Sequence, residues 1–255
     1  MNARRNGTLV LVPNSLDLGT EAVDLQEVLP LGALRRAAGL RRWVAENAKT
    51  TRAFLKRVSA VAPLAEPLQS LDIRELPRPR KGGPQSVDKT MLQALLQPAL
   101  AGEDVGLISE AGLPAVADPG AALVEVAHAL GIPVLPLPGP SSLMLALAAS
   151  GLNGQSFAFV GYLPVEAPAR AARLRELQSA SKRHAQTQLI IETPYRNQAL
   201  LSAMLETLAD DTRLSVSCGL TLQQGWTRSQ PVRDWKREGC SMPDKVPAVF
   251  ALLAP

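Results

Sequence analysis

Residues 105–140 of the chain read VGLISEAGLPAVADPGAALVEVAHALGIPVLPLPGP. The apolar run from Val105 to Ser109 predicts a buried strand. Ala121 to Leu130 predicts a helix that Gly131 closes from the C′ position, and Ile132 to Leu137 predicts the next strand. Because strand, helix and strand follow one another in this order, the stretch predicts a sheet with helical crossovers and places the chain in the α/β class.

The same alternation continues on both sides of this stretch. The further predicted strands are Thr8 to Val12, Phe157 to Val160, Gln188 to Ile191, Leu214 to Cys218 and Ala248 to Leu253. The further predicted helices are Ser141 to Ala149, Ala169 to Lys182 and Gln198 to Ala209. The strands from about Arg213 onward follow one another without clear helices, which predicts an antiparallel edge in a mixed sheet.

These elements predict two α/β domains with mixed, largely parallel sheets. The rigid segment PLPGP, residues 136–140, is taken as the connection, so the predicted domains are residues 1–140 and 141–255. A second segment, Glu75 to Pro84, is rich in proline, glycine and basic residues, and it predicts an exposed loop.

Composition limits the classes of protein that this chain can represent. It has 255 residues, of which 46% are apolar and 20% charged, an ordinary balance for a protein with a hydrophobic core. The two cysteines, Cys218 and Cys240, form no CxxC pair and predict free thiols in a reducing compartment. The run from Leu9 to Pro13 is too short for a signal peptide, and no stretch reaches the roughly 18 apolar residues of a spanning helix. We therefore expect a cytoplasmic protein without a membrane segment.

The charge of the chain favours a polyanionic partner. The net charge is +4 and the pI is near 9.3, and basic residues cluster within 35–42, 78–81 and 182–183. Solvated helix faces explain most such clusters, so the charge gives nucleic acid a modest preference as partner.

Several common sites find no support in the sequence. It contains no GxGxxG after a strand, no P-loop, no HExxH and no GxSxG. His128 lies on a predicted helix and His184 in a basic segment, and both are interpreted as structural or solvated. With two histidines and two scattered cysteines, we expect no metal site.

Two turns at the carboxyl ends of predicted strands carry the functional signal. After Ser109, the sequence Glu110-Ala111-Gly112 brings a carboxylate and backbone amides to the sheet edge where α/β proteins bind ligands. Further on, PGP leads into a helix that opens with Ser141 and Ser142, whose amides and hydroxyls suit a polar ligand. Plain strand-to-helix connections, with Asp118 and Ser141 as turn or cap residues, explain both segments equally well.

Ordered motifs resemble the tetrapyrrole methylase superfamily of S-adenosylmethionine-dependent enzymes. They are LISEAGLPAVADPG at residues 107–120, LPLPGPSSLMLALAASGL at 135–152, FAFVGYLP at 157–164 and ETPYR at 192–196. They are most similar to the branch that methylates a cytidine ribose 2′-hydroxyl in small-subunit ribosomal RNA. That branch shows S-D-A-G-x-P, D-P-G, PLPGP, F-x-G-F-L-P and E-S-x-H-R in this order.

The front half departs from that pattern. The branch's T-P-I-G-N-L stands here as PNSLDL at residues 13–18, and its E-D-T-R-x-T as ENAKTTR at 46–52. Its H-x-x-N-E segment is replaced by DIRE at 72–75 and the basic loop. These segments belong to the half of the protein that the resemblance associates with the substrate. The use of a methyl donor is therefore a safer inference than ribosomal RNA as the methyl acceptor.

The resemblance implies that S-adenosylmethionine is bound in the cleft between two domains, without a metal, in a protein that is commonly a homodimer. The implied neighbours of the donor are Pro13, Ser109, Glu110, Leu113, Ser141, Ser142, Leu163, Ile191 and Glu192, with Cys218, Gly219 and Pro247 as weaker candidates. A base that takes the proton of the ribose hydroxyl assists the transfer. Glu46 and Glu192 are the candidates for this role, and Lys49, Arg52 and Arg196 for contacts with the substrate.

Each of these charged residues is equally explained as half of a surface ion pair. We favour that explanation for Glu46 and favour function slightly for Glu192. Two rival functions stay open: a methylase of a small tetrapyrrole-like molecule, and a non-catalytic donor-binding module that serves as an RNA or protein partner.

Overall fold

The computed structural model describes residues 5–17, 23–77 and 88–255. The chain forms two compact units, Met1–Pro140 and Ser141–Pro255. Within the described ranges, no helix has the length and hydropathy needed to cross a bilayer.

The first unit contains one five-stranded sheet. Its strands are β1 Leu9–Leu11, β2 Arg42–Ala45, β3 Asp72–Glu75, β4 Val105–Ile108 and β5 Val134–Pro136. Its helices are α1 Leu25–Val28, α2 Leu31–Ala38, α3 Ala48–Ser59, α4 Lys89–Leu95, α5 Gln97–Leu100 and α6 Ala121–Ala129. The strand order is β3-β2-β4-β1-β5, and the neighbouring strands are parallel.

Both faces of this sheet are buried, as is usual for parallel sheets. Neighbouring residues of one strand enter different hydrophobic clusters: Val10 and Trp43 belong to one, and Leu9 and Val44 belong to the other. Because side chains alternate between the faces of a strand, the two clusters lie on opposite sides of the sheet.

Helix α3 is fixed at its start by a side-chain cap. The Asn47 carboxamide oxygen accepts hydrogen bonds from the backbone N–H groups of Lys49 and Thr50 at 2.9 and 3.2 Å. Phe54 and Leu55 bury one face of the helix in the core. The helix therefore begins directly beyond the carboxyl end of β2 and exposes its opposite face.

The second unit contains a mixed five-stranded sheet. Its strands are β6 Phe157–Gly161, β7 Thr187–Glu192, β8 Arg213–Cys218, β9 Trp226–Pro231 and β10 Ala248–Leu253. Its helices are α7 Ser142–Ser150, α8 Ala167–His184, α9 Asn197–Thr207 and α10 Val232–Glu238. The strand order is β6-β7-β10-β8-β9, in which β6 and β7 are parallel and the other neighbours antiparallel.

This second sheet is also covered on both faces. Leu189 packs with residues of α7 in one cluster, and Ile190 packs with residues of α8 and α9 in the other. Trp235 of α10 is fully buried, and its Nε1 donates to the carbonyl oxygen of Leu214 at 2.9 Å. That bond satisfies the indole N–H of a side chain that the core otherwise encloses.

The predicted α/β class with two sheets is confirmed: the first sheet is parallel, and the second is mixed, with one parallel and three antiparallel pairs. The predicted strands and helices are present, with ends that differ by a residue or two, and β9 forms an antiparallel edge. The expectation of strands without helices after Arg213 is wrong, because α10 lies between β9 and β10. Strands β2 and β3 and the helices α1 to α5 were not predicted from the sequence.

The predicted exposed loop Glu75 to Pro84 needs a correction at its start. Glu75 is the last residue of β3, and Leu76 is buried in the core. The part of this prediction from residue 78 onward, with the basic cluster 78–81, lies outside the described residues.

Candidate active site

The carboxyl ends of β1 and β4 are tied together at the sheet edge where open α/β proteins bind ligands. Asn14, just beyond β1, donates from its backbone N–H to the Gly112 carbonyl at 2.9 Å. Its side-chain Nδ2 donates to the carbonyls of Ser109 and Glu110 at 3.2 and 3.0 Å. The two loops are therefore held in one arrangement, as a preorganised site requires.

Three carboxylates, those of Glu46, Glu110 and Asp118, lie close together beyond the ends of β2 and β4. The backbone N–H of Glu110 donates to Oε2 of Glu46 at 3.0 Å. Burial raises the pKa of Asp118 to about 7, and repulsion from Glu46 and then from Glu110 adds to the effect. A carboxyl with this pKa can take up and release a proton at neutral pH.

A cavity of about 350 Å³ lies in the first unit, and Glu110 is the member of the carboxylate cluster that lines it. Ala53 and Phe54 of α3 form its apolar wall. Its polar lining residues are Asn14, Ser15, Asp17, Thr50, Arg57 and Glu110. An apolar wall with a few convergent polar groups is the usual form of a small-molecule site.

The guanidinium of Arg57 is locked on the wall of this cavity. Its Nη2 lies 3.1 Å from Oδ2 of Asp17 and donates to the Val23 carbonyl at 2.6 Å. The Ser15 hydroxyl donates to Oδ1 of Asp17 at 2.9 Å. Since the Asp17 side chain is only 3% exposed, the network presents hydrogen-bond donors with little freedom to move.

The family of the chain follows from comparison with known proteins. A family model described as Tetrapyrrole (Corrin/Porphyrin) Methylases matches residues 33–226. The chain belongs to this family. The matched range contains the carboxylate cluster, most of the residues that line the cavity and most of the second unit.

Curated relatives of the chain include two named ribosomal RNA small subunit methyltransferase I. The protein of Pseudomonas aeruginosa is 39% identical over 137 residues, which cover 52% of this chain and 47% of the relative. The protein of Vibrio cholerae is 37% identical over 129 residues, which cover 51% of this chain and 43% of the relative. The chain spans about half the length of the curated relatives that it matches.

The fold of the methylase is shared with solved structures. Uroporphyrin-III C-methyltransferase from Thermus thermophilus, complexed with S-adenyl homocysteine, aligns with a TM-score of 0.52 at 18% identity over 97% of both chains. At this identity the likeness concerns the fold.

The candidate donor residues of the first unit differ in their surroundings. Pro13 is buried, and a Cβ placed on Gly139 would lie 2.3 Å from its Cβ, so the two residues are in close contact. Ser109 is 3% exposed, and its hydroxyl has no hydrogen-bond partner among the described residues. Glu110 lines the cavity, and Leu113 is half-buried.

The contacts of Glu46 are not those of the surface ion pair that we favoured for it. Within the described parts of the chain it forms no salt bridge, and it accepts a hydrogen bond from the backbone N–H of Glu110. Lys49 and Arg52 follow it on α3 and are exposed to solvent.

Four candidate residues of the second unit meet at one edge of its sheet. Ala248, the first residue of β10, pairs with Glu192 at the end of β7 and with Cys218 at the end of β8. The N–H of Gly219 donates to the Pro247 carbonyl at 2.9 Å. The register of the sheet therefore brings these four candidate residues to one edge.

Glu192 is held in a buried ion pair. Its side chain is 3% exposed, and its Oε1 accepts from Arg196 Nη2 at 2.6 Å and from Arg196 Nε at 3.0 Å. The N–H of Thr193 donates to the same oxygen at 2.7 Å. These bonds occupy Oε1 of Glu192 with donors from Arg196 and Thr193.

The remaining candidates of the second unit are spread over it. Ser141 is the N-cap residue of α7 but makes no side-chain capping bond, and Ser142 is the first helical residue. Leu163 is buried in the cluster that covers one face of the sheet, and the half-buried Ile191 packs against the cluster on the other.

Asp118 is the functional candidate that the sequence reading missed, because it was taken for a turn or cap residue. The N-cap of α6 is Gly120 instead. Arg57 and Asp17 were also missed. Their signal is weak, since an arginine on a helix and an aspartate in a loop are common on surfaces. Among the described residues, no group of histidine, cysteine, aspartate and glutamate can hold a metal ion.

Proposed function

We propose that the chain is an S-adenosylmethionine-dependent methyltransferase whose acceptor is a ribose 2′-hydroxyl of ribosomal RNA. The observation that carries this proposal is that Asn14 and Glu110 line a 350 Å³ cavity, and that Glu46 holds the Glu110 backbone, in a chain of the tetrapyrrole methylase family. Two of these residues belong to the segments that depart from the family pattern. Their convergence argues that the departures leave a working site.

Each unit has a buried polar group of the kind that binds a ribose hydroxyl or an amino-acid group. In the first unit the buried Ser109 hydroxyl lacks a partner within the described residues, and Glu110 offers a carboxylate. In the second unit the fully buried Asn197 donates from Nδ2 to the Val246 carbonyl, while its Oδ1 has no partner in the described chain. Such orphaned buried polar atoms are costly unless a ligand or water satisfies them.

The donor, when bound, supplies an electrophilic methyl group on a sulfonium. The acceptor oxygen forms the new O–C bond as the S–C bond breaks, and the hydroxyl proton must leave. The Asp118 carboxylate can accept that proton near neutral pH because its pKa is raised to about 7. Glu46 keeps the pKa of Asp118 high by its charge and fixes the loop of Glu110 by its hydrogen bond.

The exposed face of α3 supports RNA as the acceptor. Lys49, Arg52 and Lys56 lie on this face at helical spacing, and the helix AKTTRAFLKRVS contains no acidic residue. Among the described residues none of the three forms an ion pair. They are available to neutralise phosphates next to the cavity that other residues of the same helix line. The curated relatives are named as ribosomal RNA methyltransferases, and that name points to the same class of acceptor.

Donor binding is tested by calorimetric titration with S-adenosylmethionine. We expect one site per chain in the wild type and loss of binding in Glu110→Ala and in Ser142→Trp. Glu125→Ala, which removes an exposed carboxylate of the same unit, serves as the matched control and should bind as the wild type does. If both site variants bind S-adenosylmethionine with unchanged affinity, the donor does not bind at these residues.

The RNA proposal is tested by the salt dependence of binding to small-subunit ribosomal RNA. Each phosphate contact adds nearly one unit to the slope of log affinity against log salt. Replacing Lys49, Arg52 and Lys56 by glutamine, one at a time, should reduce that slope by about one unit each. A flat response in the wild type would point to a small or neutral acceptor instead.

A ribosomal RNA substrate favours a cytoplasmic protein, and the family resemblance implies a homodimer. Sedimentation of the purified chain should give twice the monomer mass, and a monomer at micromolar concentration would contradict this part of the proposal.

A further inference from the structure

The chain contains two tyrosines, Tyr162 and Tyr195, and both lie exposed in the second unit. Their exposed fractions are 55% and 78%, in a protein whose aromatic content is 4%. Tyrosines are usually well buried, so a pair of exposed ones in one place marks a surface for interaction.

The two tyrosines leave the sheet at the same edge. Strands β6 and β7 are parallel neighbours, and Tyr162 directly follows β6. Tyr195 lies in the 3-10 turn Pro194–Arg196 that follows β7. Because parallel strands end at a common edge, the two loops emerge side by side.

One guanidinium lies near the Tyr195 ring. The Cζ of Arg196 is 5.8 Å from the centroid of the Tyr195 ring. Hydrogen bonding to Glu192 raises the pKa of Arg196, and attraction to Tyr195 and Tyr162 adds to this effect. The two aromatic rings and the guanidinium therefore form one surface, which we call the tyrosine–arginine platform (Tyr162, Tyr195 and Arg196).

The platform is held rigid from below. The buried Glu192 carboxylate binds Arg196 through Nη2 and Nε, and the Thr193 hydroxyl lies 3.2 Å from the same Nε. Pro194 fixes one backbone angle of the turn. A surface ordered in advance binds with a smaller loss of conformational entropy.

A cation is hydrogen-bonded to the loop that begins with Tyr162. Arg170 of α8 donates from Nη1 to the Val165 carbonyl at 2.8 Å, in the loop that begins with Tyr162. Within the described residues it pairs with no carboxylate, and its Nε has no hydrogen-bond partner. The charge of Arg196 is balanced by Glu192, so Arg170 supplies the positive charge that a backbone phosphate would need.

We propose that the tyrosine–arginine platform stacks an unpaired base of the RNA substrate, with Arg170 contacting an adjacent phosphate. Aromatic faces and guanidinium planes are the groups on which splayed bases of single-stranded RNA stack. The base of a duplex is closed to such a surface, so the platform selects a single-stranded or looped target. This inference rests on the proposed RNA methyltransferase function and assigns to it a second contact, separate from the carboxylate cluster.

The test uses the full chain and a single-stranded RNA decamer that carries a fluorescent cytidine analogue, whose emission falls on stacking. The wild type should bind the decamer and quench it. Tyr195→Ala should lose the quenching and bind about ten to a hundred times more weakly. Tyr195→Phe should retain both properties, because stacking needs the ring and not the hydroxyl. Tyr195 is mostly exposed, so the fold should survive both changes.

Phe157→Ala provides the control, since Phe157 is an exposed aromatic at the opposite end of β6, and it should bind as the wild type does. Equal binding and quenching by wild type and Tyr195→Ala would overturn the platform while leaving the RNA proposal intact. Failure of the wild type to bind any RNA would overturn both. A change from dimer to monomer in Tyr195→Ala without RNA would show that the surface joins two copies of the chain, which also overturns the proposal.

Discussion

Removal of the Asp118 carboxylate is expected to stabilise the protein at high pH and not at low pH. The ordinary pKa of an aspartate is 3.8, and burial with two neighbouring carboxylates raises that of Asp118 to about 7. Between these values the native state holds a proton that the unfolded chain has lost. The free energy of unfolding therefore falls as the pH rises from about 4 to 7, and above 7 the loss is complete.

The size of the effect follows from the shift. Without screening, the difference between 3.8 and about 7 corresponds to roughly 4 kcal/mol. Asp118 is half-buried, and water screens part of the repulsion, so we expect the Asp118→Asn variant to gain about 1–2 kcal/mol over wild type at pH 8.5. At pH 4 the two proteins should be equally stable, because the carboxyl of the wild type is then protonated in the native state.

Urea unfolding at both pH values measures this difference, and hydrogen exchange of amides in β1 and β4 reports on the first unit alone. Glu125→Gln is the control, because it removes a carboxylate of the same unit that is 68% exposed. Its effect on the free energy of unfolding should be the same at pH 5.5 and at pH 8.5. Carbon NMR titration of the Asp118 carboxyl gives the pKa directly. A midpoint near 4, or an equal effect of Asp118→Asn at both pH values, would refute the three-carboxylate arrangement.

Other perturbations test the remaining contacts. Gly139→Ala places a Cβ 2.3 Å from a proline ring and should cost about 1–3 kcal/mol in urea unfolding, whereas Gly154→Ala, which meets open space, should change stability little. Arg196→Met leaves the Glu192 charge buried and should lower the urea midpoint, which the double variant with Glu192→Gln should partly restore. Burial raises the pKa of Cys218 to about 11, so this thiol should react with a disulfide reagent at pH 8 only after unfolding, while the other cysteine reacts in the native protein.

The sequence predicted the class and most of the strands because long apolar runs carry the pattern of a buried sheet. It missed β2 and β3, since RWVA and DIRE are four residues long and include charged residues. It also missed α10, whose seven residues are too few to establish a helical period. Tertiary packing, here the burial of Trp43 and Trp235, decides the state of such short segments.

The site was predictable where it follows strand ends and not where it depends on distant charges. Glu110 and Cys218 end predicted strands, and the fold places them at sheet edges. The raised pKa of Asp118 depends first on its burial and then on Glu46, which is far from it in sequence, and no local pattern indicates either effect. The spacing of Glu192 and Arg196, four residues apart, indicates an ion pair, and the structure contains it.

A methyl-transfer assay tests most directly whether the chain methylates ribosomal RNA. The full chain is incubated with labelled S-adenosylmethionine and undermethylated small-subunit ribosomal RNA, and the RNA is digested to nucleosides for mass spectrometry. We expect label in 2′-O-methylcytidine for the wild type and a much lower rate of methyl transfer for Asp118→Asn. Label absent from RNA and present in a small tetrapyrrole offered in parallel, or no transfer to either, would contradict it.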